Sequence, residues 1–402
     1  MANFRYQVLD AAGKQSTGVL EAQSIADASR KLKAEGRYVL KVELDRGPGL
    51  MGLELGSKKL NTKELVMISR QLSSLLSAGI TIVRSLDMLY QQMETKRSKK
   101  CVGEVYESIQ QGKTLSEAFR DQREILPSIM ISMIAAGEES GRLDEIMSRL
   151  ADHFLKESRL KNKISAAMVY PKILFFLTIA ITVGLMTFLV PGIADTVADL
   201  GGELPKLTKI VMAISDSMVK FWYLYILVIG TAVYGFTTWK NSEKGSMTWA
   251  KWMLTIPIVG KATKMTASAR FCRTVSTLLK SGISVLTSIE ITAASLDNKI
   301  LEKKLNEARL EIRKGTSLSK SIKGITEFPP MIYAMTAIGE ESGTLDSILE
   351  KAADYFEDEA DAATTKMTTA LEPIMLILMA IMVGLTVGAI AMPIFTMAGN
   401  IS

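Results

Sequence analysis

Gly137-Glu138-Glu139-Ser140-Gly141-Arg142-Leu143-Asp144 returns 202 residues later as Gly339-Glu340-Glu341-Ser342-Gly343-Thr344-Leu345-Asp346, with seven of eight positions identical. Outward from this pair the likeness continues. Arg270 to Ile283 aligns on Met67 to Ile80 at a shift of 203, and Gly315-Thr316-Ser317-Leu318-Ser319 matches Gly112-Lys113-Thr114-Leu115-Ser116. Pro330 is matched with Pro127, Ala353-Asp354-Tyr355-Phe356 with Ala151-Asp152-His153-Phe154, Pro373 with Pro171 and Pro393 with Pro191. A long internal period of this kind means that one structural unit has been written twice. The unit reads as a helical bundle followed by an uncharged segment, with a connecting hairpin between the copies.

Three stretches lack any charge: Ile173 to Val190 (18 residues), Phe221 to Trp239 (19) and Ile374 to Met397 (24). As helices they would run about 27 to 36 Å, against roughly 30 Å of hydrocarbon in a bilayer. The sequence therefore predicts a mainly α membrane protein: two homologous cytoplasmic helical bundles, three transmembrane helices and a small N-terminal ββαβ module. The expected boundaries are 1–46 for the docking module, 47–60 for a linker and 61–166 for bundle 1. The spans fall at 167–191, 221–239 and 372–397, separated by an extracytoplasmic loop (192–220), a cytoplasmic connector (240–265) and bundle 2 (266–371).

In the N-terminal module, Phe4–Asp10, Thr17–Glu21 and Tyr38–Glu43 read as strands, with a turn at Gly13-Lys14, a helix N-cap at Ser24 and a stop at Gly36. In bundle 1, Leu65, Ile68, Leu72, Leu75 and Leu76 follow helical spacing. Gly112 to Ser116 lacks the upstream glycine of a phosphate loop and reads as a helix stop and restart.

Charge sets the expected topology. Lys156, Arg159, Lys161, Lys163 and Lys172 precede the first span, and Lys240, Lys244, Lys251, Lys261 and Lys264 follow the second. The positive-inside rule places both bundles in the cytoplasm. Met1 to Asp45 has no apolar leader, which predicts a cytoplasmic N-terminus. A net charge of +6 is accounted for by these flanking lysines and calls for no nucleic acid.

Chemistry-bearing patterns are few. His153 stands where its counterpart is Tyr355, so packing explains it. Cys101 and Cys272 are solitary, and no metalloprotease, nucleophile-elbow or phosphate-loop motif occurs. The reading is a non-enzyme without cofactor or metal. The repeated segments have a structural explanation in which Gly137, Gly141, Gly339 and Gly343 break helices. Ser140 and Ser342 then cap the following helices, and Asp144 and Asp346 complement their dipoles. This leaves Glu138, Glu139, Glu340 and Glu341 as candidates, with Asp144 and Asp346, for contact with a basic partner; clustered oxygens for a divalent cation are the remaining alternative. Gly384 and Gly388 give a small-xxx-small spacing for close helix contact in the membrane. A membrane transporter with an internal repeat is the rival reading, but no acid or base lies in mid-span.

Lys163-Ile164, Ala167-Met168, Tyr170-Pro171, Leu174, Thr178, Leu185, Leu189-Val190 and Pro191, with Leu204-Pro205 and Thr208, carry a resemblance. Together with the duplicated GEESGxLD motif they resemble the secretion F family, the inner-membrane platform proteins of type IV pilus and type II secretion machines. The resemblance implies a multi-pass protein of the bacterial inner membrane. Its implied partners are a cytoplasmic assembly ATPase, pilin or pseudopilin transmembrane helices, other inner-membrane assembly proteins and further copies of itself. Glu372-Pro373 in the second copy departs from Tyr170-Pro171 in the first.

Overall fold

The computed structural model describes residues 2–9, 15–22, 27, 31, 32, 38–44, 59–192 and 205–400. The chain divides into Met1–Lys58 and Lys59–Ser402. In the first unit, β1 (Ala2–Leu9), β2 (Gln15–Ala22) and β3 (Tyr38–Leu44) form an antiparallel sheet in the order β2-β1-β3. Phe4 pairs with Leu20 on one side and Leu44 on the other, and the β1–β3 register shifts between Gln7 and Val8. Asp27, Lys31 and Leu32 are helical. The turn, cap and stop expected at Gly13-Lys14, Ser24 and Gly36 lie outside the described residues, as do 45–58 and 193–204.

The second unit is helical. Bundle 1 is built from α1 (Thr62–Ser77), α2 (Ile82–Gln92), α3 (Lys96–Gln110), α4 (Leu115–Asp121), α5 (Ser128–Ser140) and α6 (Leu143–Ala167). There follow α7 (Val169–Gly184) with a π-helical turn at Leu185–Leu189, α8 (Lys206–Lys220), α9 (Trp222–Asn241) and α10 (Glu243–Thr255). Bundle 2 repeats the first six elements as α11 (Val259–Lys280), α12 (Val285–Ser295), α13 (Lys299–Arg313), α14 (Leu318–Ile322), α15 (Pro330–Ser342) and α16 (Leu345–Asn400).

Local chemistry fixes the helix starts. Glu64 Oε2 accepts the N–H of Asn61 at 2.7 Å, and Thr114 and Glu117 cap each other's N–H groups at 3.2 and 3.0 Å. Asn298 takes the N–H groups of Ile300 and Leu301. The apolar faces then close two cores, around Ile68, Leu72, Leu89, Met133, Leu150 and Phe154 in bundle 1 and around Phe271, Val275, Leu305, Ile332, Leu349 and Phe356 in bundle 2. α5 and α15 both start after a proline N-cap, Pro127 and Pro329. The structural partner of Pro127 is thus Pro329, and not Pro330 as the alignment at 203 has it, because the shift has already fallen to 202.

The last helix of each bundle leads directly into an uncharged stretch. α16 is one helix of 56 residues, about 84 Å at 1.5 Å per residue. Leu143–Gly192 runs 50 residues, interrupted at Met168, where Pro171 has no N–H to give the carbonyl of Ala167. The two rods run parallel, because Lys156 reaches Asp354 at 3.0 Å and Lys163 reaches Asp361 at 2.9 Å, both 198 residues apart. Among the described residues these are the two helices long and apolar enough to cross a bilayer; Thr208–Ser217 with Trp222–Asn241 passes as a third only as a pair bent by 77°.

The stretch expected to be the outer loop holds α8, which is strapped to both rods. Thr208 Oγ1 donates to the carbonyl of Ala389 at 2.8 Å, and Ser215 Oγ to that of Met186 at 2.9 Å. Val190, Val211 and Ala389 are buried at this joint.

Candidate functional site

The repeated glutamates have an internal role that their sequence position conceals. Glu138 lies in the last turn of α5, and its two carboxylate oxygens accept the backbone N–H groups of Leu115 (2.8 Å) and Ser116 (3.0 Å). Those donors open α4, where the first N–H groups of a helix have no partner within it and the dipole favours an anion. Glu340 does the same in the second copy, accepting from Leu318 and Ser319 at the start of α14. The Gly-Lys-Thr-Leu-Ser and Gly-Glu-Glu-Ser-Gly motifs are therefore two halves of one contact. Burial pushes the Glu138 carboxyl up, and the hydrogen bonds from Ser116, Leu115 and Thr114 outweigh it, leaving the pKa below the ordinary carboxylate range.

The turn itself is a Schellman motif. Arg142 N–H donates to Gly137 O (3.0 Å) and Gly141 N–H to Glu138 O (3.3 Å), with Gly141 at φ 69°. Thr344, Gly339, Gly343 and Glu340 repeat the pattern, with Gly343 at φ 70°. Gly137 and Gly339 do not break their helices, as the sequence suggested; both are buried inside them where α5 and α15 touch the next helix. A Cβ at 137 would stand 2.9 Å from Ile146 Cγ1, and one at 339 would stand 2.8 Å from the Cα of Leu345. Nor do the serines cap the following helices. Ser140 Oγ turns back to the carbonyl of Ala136 and Ser342 Oγ to that of Ile338, both at 2.7 Å, because the tight turn leaves Arg142 and Thr344 as the flanking residues.

Glu139 and Glu341 point outward and are exposed, as is Asp144, while Asp346 is half-buried. Serines of the first helices hold the carbonyls of both aspartates, Ser73 that of Asp144 (3.2 Å) and Ser276 that of Asp346 (2.7 Å). Tyr170 is exposed midway along the first rod, just past the break at Met168, where it lines a groove with Pro171 and Glu372. Pro191, Pro373 and Pro393 all lie within helical segments, and a Cβ on Gly384 would meet no atom of the chain within 4 Å. Among the described residues no group of three or more His, Cys, Asp or Glu is placed to hold a metal ion. Burial pushes both thiols up, Cys101 to about 12, so neither is a ready nucleophile.

The two bundles meet through unlike faces, α5 and α6 of the first against α11 and α12 of the second. Leu278 and Ile291 of bundle 2 enter the core of bundle 1, and Arg149 donates to the carbonyl of Lys280 at 2.7 Å. A cleft of about 230 Å³ lies between them, lined by His153, Lys156, Arg270 and Arg273. Here the duplication loses its symmetry: His153 is buried, whereas its counterpart Tyr355 is exposed. Burial, then the charges of Arg273 and Arg270, pull the His153 pKa down to about 4. Arg273 is itself tied to Asp354 and Glu357. This interface was not legible in the sequence; the one hint was a histidine facing a tyrosine across the repeat.

Comparison with known proteins agrees with this duplicated architecture. The profile of type II secretion system protein F matches twice, over residues 68–191 and 271–393, and that of its N-terminal domain matches residues 1–43. The chain belongs to the type II secretion system protein F family. The two matched segments start 203 and end 202 residues apart (271 − 68 and 393 − 191), so the profile covers the same unit twice, from α1 or α11 to Pro191 or Pro393. Type IV pilus assembly protein PilC of Thermus thermophilus is 33% identical over the full length of both chains. Type II secretion system protein F of Pseudomonas aeruginosa is 31% identical over 99% of each, and PilC of Myxococcus xanthus 30% identical over 100% of this chain and 96% of the other.

Proposed function

We propose that this chain is the inner-membrane platform protein of a type IV pilus or type II secretion machine. It would act as a scaffold that passes the motion of a cytoplasmic assembly ATPase to pilin or pseudopilin helices in the bilayer. The observation that carries this reading is that each bundle leads directly into a long apolar rod, through α6 and α7 in the first copy and through α16 in the second. A push on bundle 2 tilts or turns its span through the unbroken α16, whereas a push on bundle 1 passes through the joint at Met168 and Pro171. Relatives from pilus and secretion machines match at nearly the same identity, as expected of a platform that meets only a generic apolar helix.

The parallel course of the rods also supports three crossings. Two spans that leave the same face in the same direction need a return between them, and α9 is the apolar helix available for it. With the lysines that flank it, this supports a cytoplasmic position for both bundles and the N-terminus. The exposed Glu139 and Glu341 are our candidates for contact with a basic partner surface, and Gly384 with Gly388 for contact with a helix of another chain, a pilin or a second copy. Deletion of the gene with scoring of fibres or secreted protein tests the assignment, and normal assembly in the deletion strain would end it. Reporter fusions at residues 142 and 344 should both report cytoplasm.

A further inference from the structure

Behind α9 the chain makes a tight corner whose outer surface fits a lipid headgroup layer. Ser242 caps α10 by accepting the N–H of Gly245 at 3.2 Å, and a Cβ on Gly245 would lie 1.8 Å from the carbonyl of Trp239. Only glycine can turn α9 into α10 so closely, so α10 starts directly at the end of α9. One side of α10 is fixed to bundle 2: Ala250 and Leu254 are buried, and Asn298 donates to the carbonyl of Ala250 at 3.2 Å. The other side carries Trp252 (54% exposed) and ends in Ile256 (44%) and Ile258 (47%), with the Trp239 ring 6.5 Å from that of Trp252 and tilted by 50° to it. Lys240 lies over the Trp249 ring at 5.1 Å.

The backbone is strained to keep this surface. Ile258 has φ 71° and ψ −59°, and Val259 N–H donates to Pro257 O at 2.8 Å, a γ-turn of the rare form. A β-branched residue seldom adopts positive φ, and here the turn leaves both isoleucines facing outward. Charge points to the occupant. Residues 240–264 hold five lysines and one acid, Glu243, and Lys244, Lys251 and Lys261 are exposed around the apolar residues. Apolar and aromatic groups ringed by lysines match an anionic leaflet, where rings and aliphatic chains sink between headgroups that the ammonium groups neutralise.

We infer that α10 and the Ile256-Pro257-Ile258 turn lie in the cytoplasmic headgroup layer and bind anionic phospholipid. The inference rests on α9 being a crossing. The test uses the full chain in nanodiscs of phosphatidylcholine with or without phosphatidylglycerol. In a variant with Trp252 as the sole tryptophan (W222F, W239F, W249F), lipids brominated high in the acyl chain should quench its fluorescence more than aqueous acrylamide does. Phosphatidylglycerol should increase that quenching, and K244E with K251E should abolish the increase. A spin label at Ile256→Cys, in the otherwise unaltered chain, should collide with oxygen more than with a water-soluble nickel chelate. A label at Ile229→Cys, midway along α9, separates the two readings. Hydrocarbon contact at 229 with water at 252 and 256 would overturn the proposal alone and leave the face to a protein. Water at 229 as well would overturn the crossing and the proposal together.

Discussion

Glu138 accepts the backbone N–H of Leu115 at 2.8 Å, joining the end of α5 to the start of α4 across 23 residues. With Ser116 as second donor, both carboxylate oxygens are used inside the bundle. Removing them should cost about as much as losing a charged helix cap, roughly 1–2 kcal/mol. Glu138→Ala and Glu340→Ala should therefore lower the thermal midpoint of the detergent-solubilised protein, and Gln, which keeps one acceptor oxygen, should lower it less. Glu139→Lys and Glu341→Lys should leave stability within about 0.5 kcal/mol while reducing fibre output or secretion. The reverse assignment, with the outer pair stabilising and the inner pair neutral, would refute this division of roles.

The same contact predicts a pH effect of definite sign. The folded pKa of Glu138 is held below its ordinary value of 4.5, so its contribution is complete above that value and lost as pH falls through the depressed folded value. An E138Q variant should lose less stability than the unaltered chain on acidification below the ordinary carboxylate range.

His153 gives an opposite case with the same direction. Its folded pKa of about 4 against an ordinary 6.5 means that the fold binds the neutral ring. Stability from this group is complete above about 6.5 and is lost progressively as pH falls towards 4. His153→Gln should flatten the thermal midpoint between those limits. An unchanged slope would place the ring in water instead of between the bundles.

Gly339→Ala should be worse than Gly137→Ala. The added methyl meets the Cα of Leu345 at 2.8 Å in the second copy, where backbone must move, but a side-chain atom of Ile146 in the first. Overpacking of this kind costs about 1–3 kcal/mol, and chemical denaturation of the two variants will rank them.

The parallel rods predict a crosslinking pattern. Cysteine pairs at 156 with 354 and at 163 with 361 should both close, whereas an antiparallel arrangement could close one at most. The native thiols at 101 and 272 are buried and should not compete.

What the residues showed in advance was whatever is local. Helical spacing at Leu65, Ile68 and Leu72 and the uncharged run from Ile374 to Met397 each report their own element, and the duplication reported the two bundles. Glu138 was legible as a repeated acid but not as a cap, because its partners are backbone groups belonging to another motif. The recurrence of Leu-Ser about 22 residues before Glu-Glu in both copies was the signal that could have joined them. α8 was hidden for a different reason: 192–220 read only as the loop between two uncharged spans, although Ile210, Val211 and Ile214 already had the spacing of a helix face. The rod through Met168 was hidden because a proline at 171 reads as a boundary, although near the start of a helical turn it is tolerated.

In the proposed platform α16 is a lever that pivots where its uncharged stretch meets the stretch below it. The 24 uncharged residues are the shorter arm, about 36 Å, and the 29 residues back to Leu345 the longer, about 44 Å. Displacement applied at the Leu345 end would therefore reappear at the far end slightly reduced and with its direction reversed. Because Thr208 and Ser215 fasten α8 to both rods, the two outer ends would swing as a pair.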